Sequence, residues 1–525
     1  MSIKRYTASV DTTITNAFMR DLNTRATGAN MGGSDILEVF SIYGQASTGS
    51  VELSRILIKF PTAQISSDRT AGTVPASGSV NFYLRMFNAR HALTTPRSFS
   101  LEVLPISTDW QEGIGMDMDE YLDFTHGNPG ANWMSASNSA KWTIPGGDFY
   151  TASWGHTISF TKGHEDIDLD VTELVEEWMS SDELTNYGAL IKLIGTQEGF
   201  FDDRTSDASI PNYNDGPILH NVTGATTSYF TKKFFGRTSE YYYKRPHIEA
   251  RWDSSVADDR GRFFYSSSLA EEDDNPNTVY MYNYYRGQLR NIPGDPSSVY
   301  VDLYLPRSGS NVPADTSGDT NTGGGRLPIS VRDSDICAGG FPATGSKVST
   351  GIYKCSLSVT AGVTPDKKLL DVWHGGDGGK TYFTGTIFPR VHKASNYKPD
   401  KQYVTSISNL GAIYKDNQTV RFRLFVREKD WSPTIYSKAT ANIENYIIDS
   451  ASYQVYRVID NLKVIPHNTG SDLATLLSYD VSGNYFDLDM SILQPDYAYG
   501  ISFAYYDPTL SSWVEQKERF KFRVE

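Results

Sequence analysis

Residues 375–381 read Gly-Gly-Asp-Gly-Gly-Lys-Thr, a composition that could wrap a phosphate in backbone N–H groups. A phosphate-binding loop also needs a glycine six positions before its lysine; here that position is His374. No strand-to-helix pattern surrounds the segment, so it reads as a glycine-rich β-turn. Carboxylate clusters could hold Ca²⁺, a hard cation that takes oxygen ligands. The candidates are Asp117 and Asp119 with Glu120, the alternating Asp166, Asp168 and Asp170, and Asp202-Asp203. None follows the calcium-loop spacing. The alternating trio reads instead as a strand, with Ile167 and Leu169 facing in and the acids facing out. Glycoside hydrolysis needs two carboxylates about 5–10 Å apart. With 62 acidic residues some pair always qualifies, so that requirement selects nothing. The histidines form no His-Glu-x-x-His, and no serine sits in a Gly-x-Ser-x-Gly elbow. The expectation is therefore no enzyme, with no catalytic, cofactor-binding or metal-binding residues. Aromatic runs point to binding instead. Tyr241-Tyr242-Tyr243 and Tyr280-Met281-Tyr282-Asn283-Tyr284-Tyr285-Arg286 read first as ordinary strand sides, then as a protein interface, then as a platform for sugars.

The elements that would carry these residues are mostly strands. Val80, Phe82, Leu84 and Met86 alternate with polar or tyrosine neighbours, as do Val299, Val301, Leu303 and Leu305. Val420, Phe422, Leu424 and Val426, and at the C-terminus Phe520, Phe522 and Val524, repeat the pattern. A period of two puts one set on a core face and the other towards solvent or a partner. One helix is expected over Asp170–Trp178. Val171, Leu174, Val175 and Trp178 form one apolar stripe, Asp170 can cap the N-terminus, and Glu173 stands where a capping-box partner would. Trp178 should be buried where this helix lies across the end of a sheet. Thirty-three Tyr and 25 Phe suit an all-β chain.

The net charge of −14 and a pI near 5.2 argue against broad phosphate coverage, hence against nucleic acid, and against an anionic membrane. No run is long and apolar enough to span a bilayer, and Met1 to Tyr6 lacks the apolar core of a signal peptide. Synthesis in a cytoplasm is expected, with any export by another route. Two cysteines, Cys337 and Cys355, exclude a disulfide framework and read as buried free thiols, with a single bridge as the alternative. Composition places three domains: 1–253; 254–396, carrying a Gly/Ser/Thr-rich loop at 308–325; and 397–525.

Several pieces of the first domain stand in a fixed order. They are Ala8 to Thr13, Thr27 to Leu37, Ser54 to Phe60, Val80 to Ala89 and Thr108-Asp109-Trp110-Gln111-Glu112-Gly113. Asp170 to Trp178, Asn186-Tyr187-Gly188 with Leu190 to Lys192, Phe235 to Glu240 and Arg245-Pro246-His247-Ile248-Glu249-Ala250 complete the series. In this ordered set the chain resembles the DNRLRE domain family, β-sandwich modules of secreted and surface proteins. The family's Ser-Arg-Glu piece is altered here to Arg237-Thr238-Ser239-Glu240. The resemblance covers residues 6–253, nearly half the chain, and implies a sandwich without catalytic residues. Ile14 to Phe18, Met31 to Ala46 and Trp110 to Asp117 look like virion structural proteins of large marine tailed phages, including cyanophages.

That second resemblance implies a non-enzymatic structural protein of a tail, baseplate or neck, less readily of a head appendage. It would be assembled in the host cytoplasm, released by lysis, and work through contacts with other virion proteins as a homo-oligomer. The alternative is a surface carbohydrate-binding or host-recognition protein of adhesin type, with a host glycan as ligand. The expected fold is all-β, with a large sandwich carrying one short helix followed by two smaller β-sandwich domains.

Overall fold

The computed structural model describes residues 2–19, 25–44, 51–91, 96–116, 130–151, 154–180, 182–201, 221–294, 296, 298–306, 326–327, 342–360, 368–376, 380–392, 402–429, 445–470 and 472–525. The counts below refer to these residues. The chain is all-β. It divides into two compact units, one of residues 2–253 with 470–474 and one of residues 254–469 and 475–525.

The first unit contains β1 (Ile3–Thr7), β2 (Val10–Thr15), β3 (Ile36–Tyr43), β4 (Val51–Lys59), α1 (Thr62–Thr70) and β5 (Asn81–Met86). Then follow β6 (Phe99–Pro105), β7 (His156–Phe160), β8 (Ile167–Asp170), α2 (Thr172–Ser180), β9 (Ala189–Leu193), β10 (Tyr229–Phe235) and β11 (His247–Arg251). Strands β1, β11, β5 and β8 make a four-stranded sheet in that order. The second sheet runs β10-β3-β4-β9-β6-β7, with β2 also paired to β4. Between the sheets lies a core that includes Leu84, Ile56, Ile58, Leu101, Ile191 and Phe234. The larger sheet is buried on its other face too. Leu53, Leu57 and Leu190 pack there beneath Trp110, Trp133 and Trp142. Double burial explains why Ile56-Leu57-Ile58 of β4 and Ala189-Leu190-Ile191 of β9 are apolar without alternation.

Helix α2 begins one residue later than its sequence cap implies. Asp170 Oδ1 accepts from Thr172 N (2.9 Å) and from Thr172 Oγ1 (2.6 Å), and Val171 O takes the first helical bond, from Val175 N. Leu174, Val175 and Trp178 are buried, as the stripe requires. Helix α1 is an addition to the expected single helix. Its only buried apolar side chain is Ile65, so no stripe announces it. It is held by polar ties: Tyr6 Oη donates to Asp68 Oδ2 (2.8 Å), Lys4 pairs with the same oxygen (2.7 Å), and Arg69 binds Glu176 of α2 through two nitrogens (2.8 and 2.6 Å).

In the second unit a seven-stranded sheet runs Asn277–Tyr282, Ile352–Leu357, Ala343–Ser349, Ser298–Tyr304, Leu369–His374 and Thr381–Ile387, with Arg326–Leu327 beside Ser298–Tyr304. A four-stranded sheet (Tyr403–Ile407, Thr419–Glu428, Gly483–Asp489, Ser478–Asp480) and a six-stranded sheet built around Ala498–Asp507 and Ala451–Arg457 follow. Rings from these last two sheets meet in one core. Phe486 stacks on Tyr453 at 4.3 Å and lies 5.3 Å from Phe422 and 6.0 Å from Phe503. The sheets over 254–396 and over 397–525 belong to a single compact unit. Cys355 is a buried free thiol, and burial pushes it up to about 12. Cys337 and the 308–325 loop lie outside the described residues.

Candidate functional site

The sequence-flagged residues scatter rather than gather. The 375–381 segment joins two antiparallel neighbours, with His374 opposite Thr381; residues 377–379 lie outside the described set. Asp117, Asp119, Glu120, Asp202 and Asp203 also lie outside it. Asp166, Asp168 and Asp170 sit on or beside β8 and already have partners. Asp166 accepts from Asn88 N (2.8 Å), and Asp168 takes Arg85 (2.8 Å) and Arg251 (3.0 Å). Among the described residues no group of three or more His, Cys, Asp or Glu side chains gathers as metal ligands would.

Asp168 belongs to a charge ladder on one face of the four-stranded sheet. Glu249 is 2% exposed, accepts from Arg5 Nε and Arg251 Nε at 2.7 Å each, and has His247 Nε2 at 3.8 Å. Burial pushes its carboxyl up, but Arg5, His247 and Arg251 outweigh that and hold it well below the usual carboxylate range. Arg251 also lies over the Tyr83 ring at 4.1 Å.

A second hub joins residues that are far apart in sequence. Glu112 takes both arms of the Arg237 guanidinium at 2.6 Å each and accepts from Asp11 N at 2.8 Å. Asp11 in turn accepts from Arg237 N at 2.6 Å. Burial raises the Asp11 carboxyl to about 7, against the pull of Arg237. Beside this hub Trp110 Nε1 donates to Tyr187 O at 2.8 Å. Asn186 Nδ2 bonds Phe60 O and Thr62 Oγ1, both at 2.9 Å. The motif residues around Trp110, Asn186 and Arg237 therefore lock irregular segments onto the sheets.

The first tyrosine run is not a strand side, whereas the second is carried on strands. Tyr242–Lys244 is a 3₁₀ turn with Tyr243 buried and Tyr241 and Tyr242 about half exposed. It spans the short return from β10 to β11 and is closed by Lys244 N donating to Tyr241 O at 2.8 Å. In the other run Asn277–Tyr282 is a strand, after which Tyr284–Tyr285 pairs with Gln288–Leu289 as a tight hairpin. Its turn residues Arg286 and Gly287 both have positive φ (53° and 79°), the conformation of a type I′ turn. Tyr284 and Tyr285 are 59% and 56% exposed at its tip, so neither ring is part of a core.

A feature without a sequence signal lies in the second unit. Tyr403, Tyr446, Tyr505 and Tyr506 line a cleft of about 390 Å³ together with Asp449 and Asp507. Tyr403 meets Tyr505 edge-on at 5.8 Å and Tyr446 at 5.4 Å, and Tyr506 leans on Trp513 at 5.7 Å. Tyr505 Oη bonds Thr405 Oγ1 at 2.7 Å, which fixes that ring. Its members come from four separate stretches of chain, so no local pattern reveals it. No protein-family model matches the chain, and comparison with curated proteins finds no match.

Proposed function

We propose that the chain is a non-enzymatic structural protein of a tailed-phage virion, located in the tail, baseplate or neck and acting through contacts with copies of itself and with other virion proteins. The observation that carries this reading is the Tyr284–Tyr285 hairpin. It presents two exposed rings and Arg286 on a rigid two-residue turn. Tyr and Arg are the residue types that anchor protein interfaces. The ordered resemblance of residues 6–253 to DNRLRE sandwiches and the virion-like stretches near both Met31 and Trp110 supply the phage context. The test is quantitative mass spectrometry of gradient-purified particles. A fixed ratio to the major capsid protein is expected. Absence from particles, with presence in a cell-surface fraction, would overturn the reading.

The tyrosine cleft favours a second reading, in which the chain binds a glycan. Aromatic faces stack on sugar rings, and flanking carboxylates accept from hydroxyls. Asp449 and Asp507 would disfavour uronic acids and select neutral sugars. Titration with neutral oligosaccharides should then give saturable binding that Tyr506→Ala abolishes. Identical traces for the two proteins would remove this reading.

A further inference from the structure

Lys232 lies on β10 yet is only 2% exposed. Its Nζ stands 4.8 Å from the centre of the Phe160 ring and 5.0 Å from that of Phe234. Such a site is expensive for an ammonium group. Burial draws the amine down to about 8, while Asp166 and Glu165 oppose the shift. About a tenth of the amine is therefore in the neutral, nucleophilic form at pH 7, against well under a hundredth for an ordinary lysine.

The group in front of this amine is a carboxamide. Lys232 Nζ is 2.6 Å from Asn88 Oδ1, with Glu165 O at 2.7 Å and Gly163 O at 3.3 Å as its other acceptors. Because a C=O bond is only about 1.2 Å long, Nζ lies within about 3.9 Å of Asn88 Cγ. That is a small side-chain rotation from the roughly 3–3.5 Å of a near-attack geometry. Asn88 is itself held in place. Its backbone N donates to Asp166 Oδ1 at 2.8 Å, its Nδ2 donates to Ala89 O at 3.0 Å, and it bridges Phe234 in antiparallel fashion. The same Oδ1 has His91 Nε2 at 3.0 Å. When Nε2 carries the proton, the imidazole donates to the oxygen on which charge would develop.

We propose that Lys232 and Asn88 join in an intramolecular isopeptide bond, with His91 stabilising the oxyanion at Asn88 Oδ1. The neutral Nζ attacks Asn88 Cγ and forms the new C–N bond. The carbonyl electrons move to Oδ1 beside His91. Collapse of this tetrahedral centre breaks Cγ–Nδ2. The leaving nitrogen takes the proton shed by Nζ and departs as ammonia. Atoms and electrons balance with no oxidant and no co-reactant. A lysine buried only for structure would also collect three acceptors. The difference here is that one acceptor is an electrophilic carboxamide whose oxygen is already in contact with a second potential donor. The bond would tie β10, in the seven-stranded sheet, to the segment leaving β5, in the four-stranded sheet. It would thus staple the two layers of the sandwich, a use that suits a part under mechanical load.

The test is the mass of the full, unmodified chain after denaturation, followed by peptide mapping. The expected mass is that of the sequence less one ammonia, with a branched peptide containing both Asn88 and Lys232. Lys232→Arg and Asn88→Ala should each restore the full sequence mass, and His91→Ala should leave an uncrosslinked fraction. A wild-type chain at full sequence mass would overturn the proposal, and so would ammonia loss with linear peptides at both positions, since a succinimide elsewhere gives the same mass change. The wild-type measurement decides the matter even if a variant fails to fold.

Discussion

Replacing Trp178 with alanine tests whether α2 is a structural part of the first unit. Trp178 is 3% exposed and belongs to the central core with Val171, Leu174, Val175 and Leu184. Removing a buried indole costs about 3–5 kcal/mol through lost transfer energy and the cavity left behind. In a unit this large each kcal/mol lowers the melting temperature by about 2–4 °C. The expected fall is therefore roughly 6–20 °C in the transition that belongs to residues 2–253. Differential scanning calorimetry of the full chain would read it. Glu173→Ala, on the exposed side of the same helix, is the control and should stay within about 0.5 kcal/mol of wild type. Indistinguishable melting of Trp178→Ala and Glu173→Ala would refute the burial argument, because nothing else about α2 distinguishes the two sites so sharply.

Asp11 should make the first unit pH-sensitive. Its carboxyl is raised from 3.8 to about 7 on folding, so the folded state binds that proton more tightly. The contribution of this group favours the fold at low pH and is lost as pH rises towards 7. Asp11→Asn should accordingly gain melting temperature relative to wild type between about pH 4 and pH 8; a constant difference across that range would contradict the assignment. Gly188 has φ +93°, and a β-carbon there would lie 2.3 Å from Ile58 O. Gly188→Ala should cost on the order of 1–3 kcal/mol. Urea denaturation would measure it, and an unchanged midpoint would show that β4 can move aside.

How much of this was legible follows from which forces act locally. Phe82, Leu84 and Met86 alternate because β5 has one core face, and they are buried as read. The same alternation misleads at Asp302, whose position reads as outward. It is 4% exposed and meets His374 Nε2 at 3.0 Å, so both faces of that strand are covered. Helix α2 announces itself through an apolar stripe. Helix α1 cannot, because Asp68 and Arg69 are tied to Tyr6 and Glu176, residues with no local relation to them. The tyrosine cleft is hidden for the same reason. Its rings converge only when the sheets carrying Tyr403 and Tyr505 pack together.

Lys232 is a different case, since a local signal was present. It stands two positions before Phe234, and in a strand that spacing places both on one face. Phe234 is fully buried, so the lysine must be taken into the core with it. A charge forced onto an apolar face is a conflict between pattern and chemistry, and such conflicts concentrate where a residue has a task beyond folding. What the strand could not reveal was the partner. Asn88 lies 144 positions away, and nothing near it marks one asparagine among many. Local pattern thus identifies the unusual nucleophile, and only the folded sandwich supplies the electrophile that gives it a reaction.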